Sequence, residues 1–197
     1  MVVTRVGAGG RRGRPTVDLV AVSHAAAAVL ARRQGRATVA ELAEAAGISV
    51  RTFHRHFPNK EDVLRPLFRE GGHEIAAELR KRPADETVAE AFLAAWEAVA
   101  GGRFTERTRT LMPIVLADPR LTTMMDQLTA EGAEWLAAAL APRLGVPADD
   151  PAAETVAATL LAQMRLAVIR SVATKSDAVE QLRAQFADLA RLDVFRA

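Results

Sequence analysis

The sequence predicts an all-α protein of about nine helices, and three observations lead to this fold class. Ala, Leu, Glu, Arg and Gln, which are strong helix formers, are abundant along the chain. Segments in which apolar and polar residues alternate are few, and the chain contains no tyrosine. Gly and Pro residues divide most of the remainder into segments of helical length.

The composition limits the classes of function. Half of the 197 residues are apolar and a quarter are charged, which is typical of a globular protein with a core. The absence of cysteine excludes disulfides, thiolate catalysis and cysteine-based zinc sites. No uninterrupted apolar run approaches the roughly 18 residues that span a bilayer, and no signal peptide is recognisable. We expect a cytoplasmic protein that has no membrane partner and needs no metal or cofactor.

The charge is distributed unevenly between the two ends of the chain. Residues 1–70 contain 12 Lys and Arg against 6 Asp and Glu, whereas residues 71–197 contain 14 against 18. A basic N-terminal part joined to an acidic remainder is typical of a chain that binds a polyanion at one end. Chance variation in surface charge is the alternative.

The N-terminal part begins with an arm and one helix. Residues 1–15 are rich in Gly and Arg and are predicted to form a basic, mobile arm. A helix is predicted over about 17–33, with Thr16 as its N-cap and Gly35 after its end.

Two short helices on either side of a tight turn follow. Thr38 and Glu41 have the spacing of a capping box, in which each side chain bonds to the backbone N–H of the other. After a glycine turn, Ser49 caps a third helix that Pro58 ends, and Asn59 caps a fourth. This order of signals is typical of a helix-turn-helix unit, which needs the flanking helices to cover its small core.

The later helices are longer and richer in alanine. They are predicted over about 86–100, 105–117, 119–141, 151–173 and 177–192. The predicted organisation is a basic arm over residues 1–15, a helix-turn-helix domain over residues 16–70 and a further helical domain over residues 71–197.

The third helix carries the candidate DNA-reading side chains. Cations, a hydroxyl, imidazoles and methyl groups are the groups that contact phosphates and base edges in the major groove. The outward positions are Val50, Arg51, Thr52, His54, Arg55 and His56. Arg55 has an alternative, which is an ion pair with Glu61 or Asp62. The two histidines point to different faces of a helix, so a metal site there is not expected.

Residues 38–64 resemble the N-terminal domain of the TetR (tetracycline-repressor-like) family over about 27 contiguous positions. The matching segments are Ala40–Ala43, Ala46–Ser49, Thr52–Phe53, His56–Phe57 and Asn59–Leu64. The resemblance implies that Thr38 and Lys60 contact phosphate, and that the recognition helix and its backbone contacts include Ser49, Arg51, Thr52, His54 and His56. Many members have tyrosine at the position of His54, so an imidazole replaces the phenol contact here.

Each of these assignments has a structural alternative. The hydroxyls of Thr38 and Ser49 can serve only as helix caps, and Lys60 can be a solvated surface cation. In the arm, Arg12 and Arg14 lie in an Arg-Gly-Arg-Pro segment similar to an AT-hook, which inserts arginines into a narrow minor groove. The alternative for the arm is non-specific attraction to phosphates.

The resemblance further implies a helical C-terminal domain that dimerises through its last two long helices. Two apolar stripes at helical spacing fit a four-helix dimer seam. They are formed by Leu160, Met164, Ala167 and Ser171 and by Val179, Leu182, Phe186 and Leu189. The alternative is that both stripes serve only the core of the monomer.

The same domain is expected to enclose an apolar or amphipathic small molecule. The candidate contacts are Trp96, Met112, Leu116, Met124, Leu128, Trp135 and Arg165. The apolar members can equally be ordinary core. Arg165 interrupts an apolar run, and it either anchors an anionic ligand or pairs with an acid such as Glu97 or Glu134.

Together these patterns predict a homodimeric DNA-binding regulator, a repressor that an unknown small molecule releases from a palindromic operator. The alternatives are a DNA-binding regulator or activator without an effector, and a helical enzyme or carrier. No nucleophile–base pair, metal-ligand spacing or phosphate loop favours an enzyme.

Overall fold

The computed structural model describes residues 16–100 and 103–192, with the side chains of residues 103–108 left out. These residues form nine α-helices and no strand, as the composition predicts. The helices are α1 Leu19–Arg32, α2 Val39–Ala45, α3 Val50–His56, α4 Arg65–Lys81, α5 Val88–Ala100, α6 Arg103–Ala117, α7 Pro119–Leu144, α8 Pro151–Thr174 and α9 Ala178–Leu192. A 3-10 turn, Lys60–Leu64, precedes α4.

The chain divides into two compact units between Leu67 and Phe68. In the first unit, α1 packs against α2 and the 3-10 turn, and α2 packs against α3. The buried side chains between them are large and apolar, which is what a unit of this size needs for a core. They include Val22, Val29, Leu30, Leu42, Phe53, Phe57, Val63, Leu64 and Leu67.

The helix predicted to begin after Asn59 begins instead at Arg65, because a 3-10 turn lies between them. The starts of α1, α2 and α3 follow the capping chemistry, with one correction at α1. The prediction that Thr16 caps α1 is wrong, because the Asp18 carboxylate accepts the N–H groups of Val20 and Ala21 at 3.1 and 3.0 Å. A carboxylate can satisfy both orphan donors of the first turn. The capping box of Thr38 and Glu41 is confirmed.

The second unit is built on the long helices α7, α8 and α9. Helix α8 packs against both α7 and α9, while α5 and α6 cover the remaining sides. Helix α7 runs to Leu144, beyond the predicted end, although Pro142 lies inside it. Pro142 is exposed, so water can satisfy the carbonyl that loses its intrahelical donor. The helix ends where Gly145 adopts a φ of +67°.

Among the described residues, α8 is the one helix that is long and apolar enough to span a membrane by length and composition. In this fold it is a core helix. Its side chains Leu160, Leu161 and Ala167 are buried against the second unit.

Candidate nucleic-acid interface

The rotation of α3 is set by two phenylalanines. Phe53 and Phe57 are buried in the first unit, with ring centroids 5.1 Å apart. Because side chains three and four positions apart share a helical face, burying this pair turns the opposite face outward. The exposed side chains on that face are Val50, Arg51, His54 and Arg55, while Thr52 and His56 are half-buried.

The hydroxyl of Ser49 holds the start of α3. Ser49 Oγ accepts the backbone N–H of Thr52 at 3.1 Å and donates to Thr52 Oγ1 at 2.9 Å. The cap role of Ser49 is therefore realised, and the proton of the Thr52 hydroxyl can be donated outward.

The start of α2 is held by a charge-assisted network. Thr38 donates its backbone N–H and its hydroxyl to Glu41 Oε2 at 2.8 and 3.0 Å. Arg33 pairs with the other carboxylate oxygen at 2.5 Å. The pKa of Glu41 is lowered below its ordinary 4.5, mainly by the hydrogen bond from the Thr38 backbone N–H. The Thr38 hydroxyl and the Arg33 guanidinium lower it further.

This network makes a prediction about pH. A carboxyl group whose pKa is lowered by folding stabilises the folded state above its unfolded pKa, and this contribution is lost as pH falls through the folded value. Glu41→Gln keeps the box geometry and removes the charge. We expect the variant to be less stable than the parent at pH 7, and the two urea midpoints to converge below the ordinary pKa of 4.5. A midpoint difference that is constant from pH 7 to pH 3 would contradict the role of the charge.

Lys60 is brought to the start of α2 by the fold. Its Nζ donates to the carbonyl of Ala37 at 3.4 Å, and the side chain is half-buried. The ammonium group therefore has a backbone partner as well as contact with solvent. The ammonium group and the backbone at Thr38 lie together, although the two residues are 22 positions apart in the sequence.

Arg55 does not form the ion pair considered for it in the sequence. Its guanidinium contacts His56 Nε2 at 3.1 Å. Asp62 instead accepts from Arg65 at 2.9 Å and from the side chain of Asn59 at 3.0 Å. Burial raises the pKa of Asp62, but these bonds outweigh it and lower the value overall. In residues 16–100 and 103–192 no group of three His, Asp or Glu side chains is placed to hold a metal.

The predicted effector contacts lie at several places in the second unit. Trp96, Met112, Met124 and Leu128 are buried, whereas Leu116 and Trp135 are half-buried. Arg165 pairs with Asp126 at 2.6 Å, across α8 and α7, and not with Glu97 or Glu134. Glu97 is paired with Arg183 at 3.3 Å.

The predicted dimer stripes are partly internal. Leu160, Ala167, Ser171 and Leu182 are buried by the chain's own helices, which places these four in the core of the second unit. Met164, Val179, Phe186 and Leu189 are half-buried. The large apolar side chains that α8 does expose are Leu166 and Ile169, at 37% and 38%.

Sequence periodicity missed this outer face because α8 is rich in alanine on every side. A signal was nevertheless present, since apolar residues recur at intervals of three and four. They are Ala158, Ala162, Leu166, Ile169 and Ala173, and all five are exposed. Arg12 and Arg14, the arm residues predicted to enter the minor groove, lie outside the described residues.

Comparison with known proteins matches two family models to the chain. The family model for bacterial regulatory proteins of the tetR family matches residues 24–67, and the model for the MftR C-terminal domain matches residues 82–192. No curated protein matches the chain.

Two solved structures have the same fold. A transcriptional regulator from Rhodococcus sp. Rha1 is 22% identical, with 88% of this chain and 96% of that chain covered and a TM-score of 0.55. FadR of Thermus thermophilus, a TetR family transcriptional repressor in complex with lauroyl-CoA, is 25% identical, with 87% and 93% covered and a TM-score of 0.58. With more than half of its length matched by one family model and a helix-turn-helix segment matched by another, the chain belongs to the tetR family of bacterial regulatory proteins.

Proposed function

We propose that this protein is a homodimeric repressor that binds a palindromic operator and is released by an amphipathic small molecule. The proposal that the protein binds DNA rests on the outward face of α3, where Arg51, His54 and Arg55 are exposed beside Val50. An α-helix fits the major groove, and two such helices related by a dimer axis read half-sites about 34–36 Å apart. The first unit would bind DNA, and the second would dimerise and bind the effector.

Lys60 and the backbone at Thr38 form the proposed phosphate contact. The bond from Lys60 to the carbonyl of Ala37 holds the ammonium beside the start of α2, so little side-chain freedom remains to be lost on binding. A phosphate contact positions the protein but does not read sequence.

Lys60→Ala is therefore expected to weaken binding almost equally on all DNA sequences. It should lower the slope of log affinity against log salt concentration by about one per subunit, because one fewer counterion is released. Lys81→Ala is the matched control, since Lys81 lies in the second unit and pairs with Glu78. Fluorescence anisotropy over a salt series measures both slopes. An unchanged slope for Lys60→Ala would show that Lys60 makes no phosphate contact.

For the arm we propose that Arg12 and Arg14 insert into the minor groove beside the operator. An A·T-rich groove is narrow and has an enhanced negative potential that attracts arginine. Removing residues 1–15 should cost the most affinity on A·T-rich flanks. An equal loss on G·C-rich flanks would favour non-specific attraction to phosphates.

The proposed dimer seam is the exposed face of α8. Ala158, Ala162, Leu166, Ile169 and Ala173 share that face, and a second copy of the same helix fits it because alanine permits close approach. Two of these side chains, Leu166 and Ile169, are large, and an exposed apolar patch of this kind marks an interaction surface. This face replaces the buried members of the predicted stripes.

For the effector we propose an amphipathic acyl thioester, on two grounds. FadR of Thermus thermophilus, 25% identical, was solved with lauroyl-CoA. In this chain, α6 and the first half of α7 pack together and bury a group of side chains apart from the core that α4, α5, the second half of α7, α8 and α9 share. The group consists of Leu111, Met112, Val115, Leu121, Met124 and Leu128. Flexible methionines allow such a group to open around an acyl chain.

Arg165 supplies the polar end of this proposed site. Its side chain is 22% exposed, whereas its partner Asp126 is 55% exposed. Since an exposed carboxylate is readily solvated, Arg165 can exchange Asp126 for an anionic group of the ligand.

Titration of lauroyl-CoA into the preformed DNA complex tests the effector. The expected result is loss of anisotropy with lauroyl-CoA, and no loss with coenzyme A alone or with laurate at the same concentration. Release by all three compounds would point to non-specific competition. A complex that withstands saturating lauroyl-CoA would favour a regulator with another effector or with none.

A further inference from the structure

The hydrogen-bonding groups on the outward face of α3 are mostly donors. The helix contains no Asp, Glu, Asn or Gln side chain. Arg51 and Arg55 are exposed, and a guanidinium group can only donate. Arg51 and Thr52 lie one turn before Arg55, and side chains at this spacing share a helical face. The polarity of the face therefore depends on the Thr52 hydroxyl and on the two imidazoles of α3.

Ser49 fixes the direction in which the Thr52 hydroxyl donates. The Ser49 oxygen accepts the backbone N–H of Thr52 at 3.1 Å, and its own proton goes to Thr52 Oγ1, 2.9 Å away. Five other helical threonines donate their hydroxyl proton to the carbonyl four residues earlier, namely Thr123, Thr129, Thr155, Thr159 and Thr174. Among the described residues, the Thr52 hydroxyl has no such acceptor, so its proton is available to a ligand.

One of the two imidazoles has its acceptor nitrogen occupied. The Arg55 guanidinium lies 3.1 Å from His56 Nε2, and because the guanidinium can only donate, Nε2 is the acceptor. The ring of His54 is exposed and meets Phe53 edge-on, with centroids 6.0 Å apart. Within α3, which is described throughout, His54 is thus the exposed side chain that still has an acceptor nitrogen.

A face of this polarity matches the acceptor atoms of base edges in the major groove. Guanine presents O6 and N7 there and thymine presents O4, whereas cytosine and adenine present amino groups that donate. Two N–H groups of one guanidinium fit O6 and N7 of a guanine. The usual partner of adenine is the amide of Asn or Gln, which α3 lacks. A hydroxyl proton left without an acceptor in an interface costs free energy, so Thr52 requires an acceptor on the DNA.

We propose that α3 reads acceptor atoms of the operator. Arg51 binds O6 and N7 of a guanine, and Thr52 donates to O6 of a guanine or O4 of a thymine. Ser49 is a positioning residue, because it directs the Thr52 proton outward and acts on the base only through Thr52. The inference rests on the proposed function, in which the protein binds DNA through α3.

Base analogues test the guanine contact, and the probe is a duplex that the wild type selects from a random pool. 7-Deazaguanine keeps the base pair and removes N7, so at a contacted guanine it should weaken wild-type binding by about fivefold or more. Arg51→Ala should bind the normal and the substituted duplex equally well. Hypoxanthine is the matched control, because it keeps O6 and N7 and lacks only the minor-groove amino group. A wild type insensitive to 7-deazaguanine, or an Arg51→Ala variant as sensitive as the wild type, would overturn the contact.

Position 49 tests the direction of the Thr52 proton. Ser49→Asp keeps an N-cap of equal quality, so the urea midpoint should stay the same. The carboxylate can only accept, so it takes the Thr52 proton and leaves the oxygen lone pairs facing outward. The base pair preferred at one position of each half-site should then change to one that presents an amino group there. Ser49→Thr keeps the hydroxyl and should select the wild-type sequence.

Position 52 provides a second test that does not depend on the helix cap. Thr52→Val keeps the shape of the side chain and removes the hydroxyl, so preference should relax by roughly two- to tenfold at the position that Ser49→Asp changes. Thr52→Ser keeps the hydroxyl and should retain the preference. If Thr52→Val relaxes no position, or if a fully stable Ser49→Asp selects the wild-type sequence, the inference is overturned. If the wild type itself selects no sequence, the proposed function has failed instead.

Discussion

Replacing Ile169 with glutamate is expected to convert a dimer into monomers. Ile169 is 38% exposed in the single chain and lies on the apolar face of α8 beside Leu166. Burying an unpaired carboxylate at a dimer interface costs several kcal/mol of binding free energy, and the remaining apolar contacts of this face do not offset that cost. A monomer holds only one half-site, so operator affinity should fall by roughly 10²–10⁴-fold through loss of avidity.

Sedimentation equilibrium measures the first effect and anisotropy the second. Ala77→Glu is the matched control, because it adds the same charge at an exposed helical position away from this face. If the Ile169→Glu variant still sediments as a dimer, the dimer interface does not include this face of α8. Arg170→Glu, next to it on α8, should be milder because that position is already charged.

Phe53→Ala is expected to unfold the first unit and leave the second intact. Phe53 is fully buried, and truncating a buried phenylalanine costs about 3–5 kcal/mol. That is a large part of the roughly 5–15 kcal/mol that stabilises a domain, and a unit this small has little to spare. DNA binding should be lost, because the burial of Phe53 in the core fixes which face of α3 points outward.

Intrinsic fluorescence separates the two units in this experiment. Trp96 and Trp135 are the only tryptophans, and both lie in the second unit. We expect the fluorescence transition to stay cooperative while part of the helical circular dichroism is lost. Val50→Ala, at a 43% exposed position, is the control and should change stability by less than about 0.5 kcal/mol. Wild-type DNA affinity in Phe53→Ala would contradict the account of α3.

The helix-turn-helix region could be predicted because its signals are local. The bonds of Thr38 with Glu41 and of Ser49 with Thr52 join residues three positions apart, so the sequence alone indicates them. Where two cap residues compete, as Thr16 and Asp18 do before α1, sequence does not rank them reliably. The carboxylate of Asp18 can bind two N–H groups, and this decided the start of the helix.

The second unit was harder to predict because its contacts are distant in sequence. The pair of Arg165 with Asp126 depends on how α8 packs on α7, and no spacing rule selects Asp126 over Glu97. The inner and outer faces of α8 look alike in sequence, since alanine occurs on both. Only the packing separates buried Leu160 from exposed Ile169.

Selection of bound DNA from a random pool by the purified protein tests most directly whether the protein binds a palindromic operator through α3. We expect enrichment of a palindromic sequence whose half-sites lie about one helical turn apart. Arg51→Ala with His54→Ala should abolish the enrichment, while the control Lys81→Ala should select the same sequence as the wild type. A pool with no enriched sequence, or the same sequence selected after Arg51 and His54 are replaced, would contradict it.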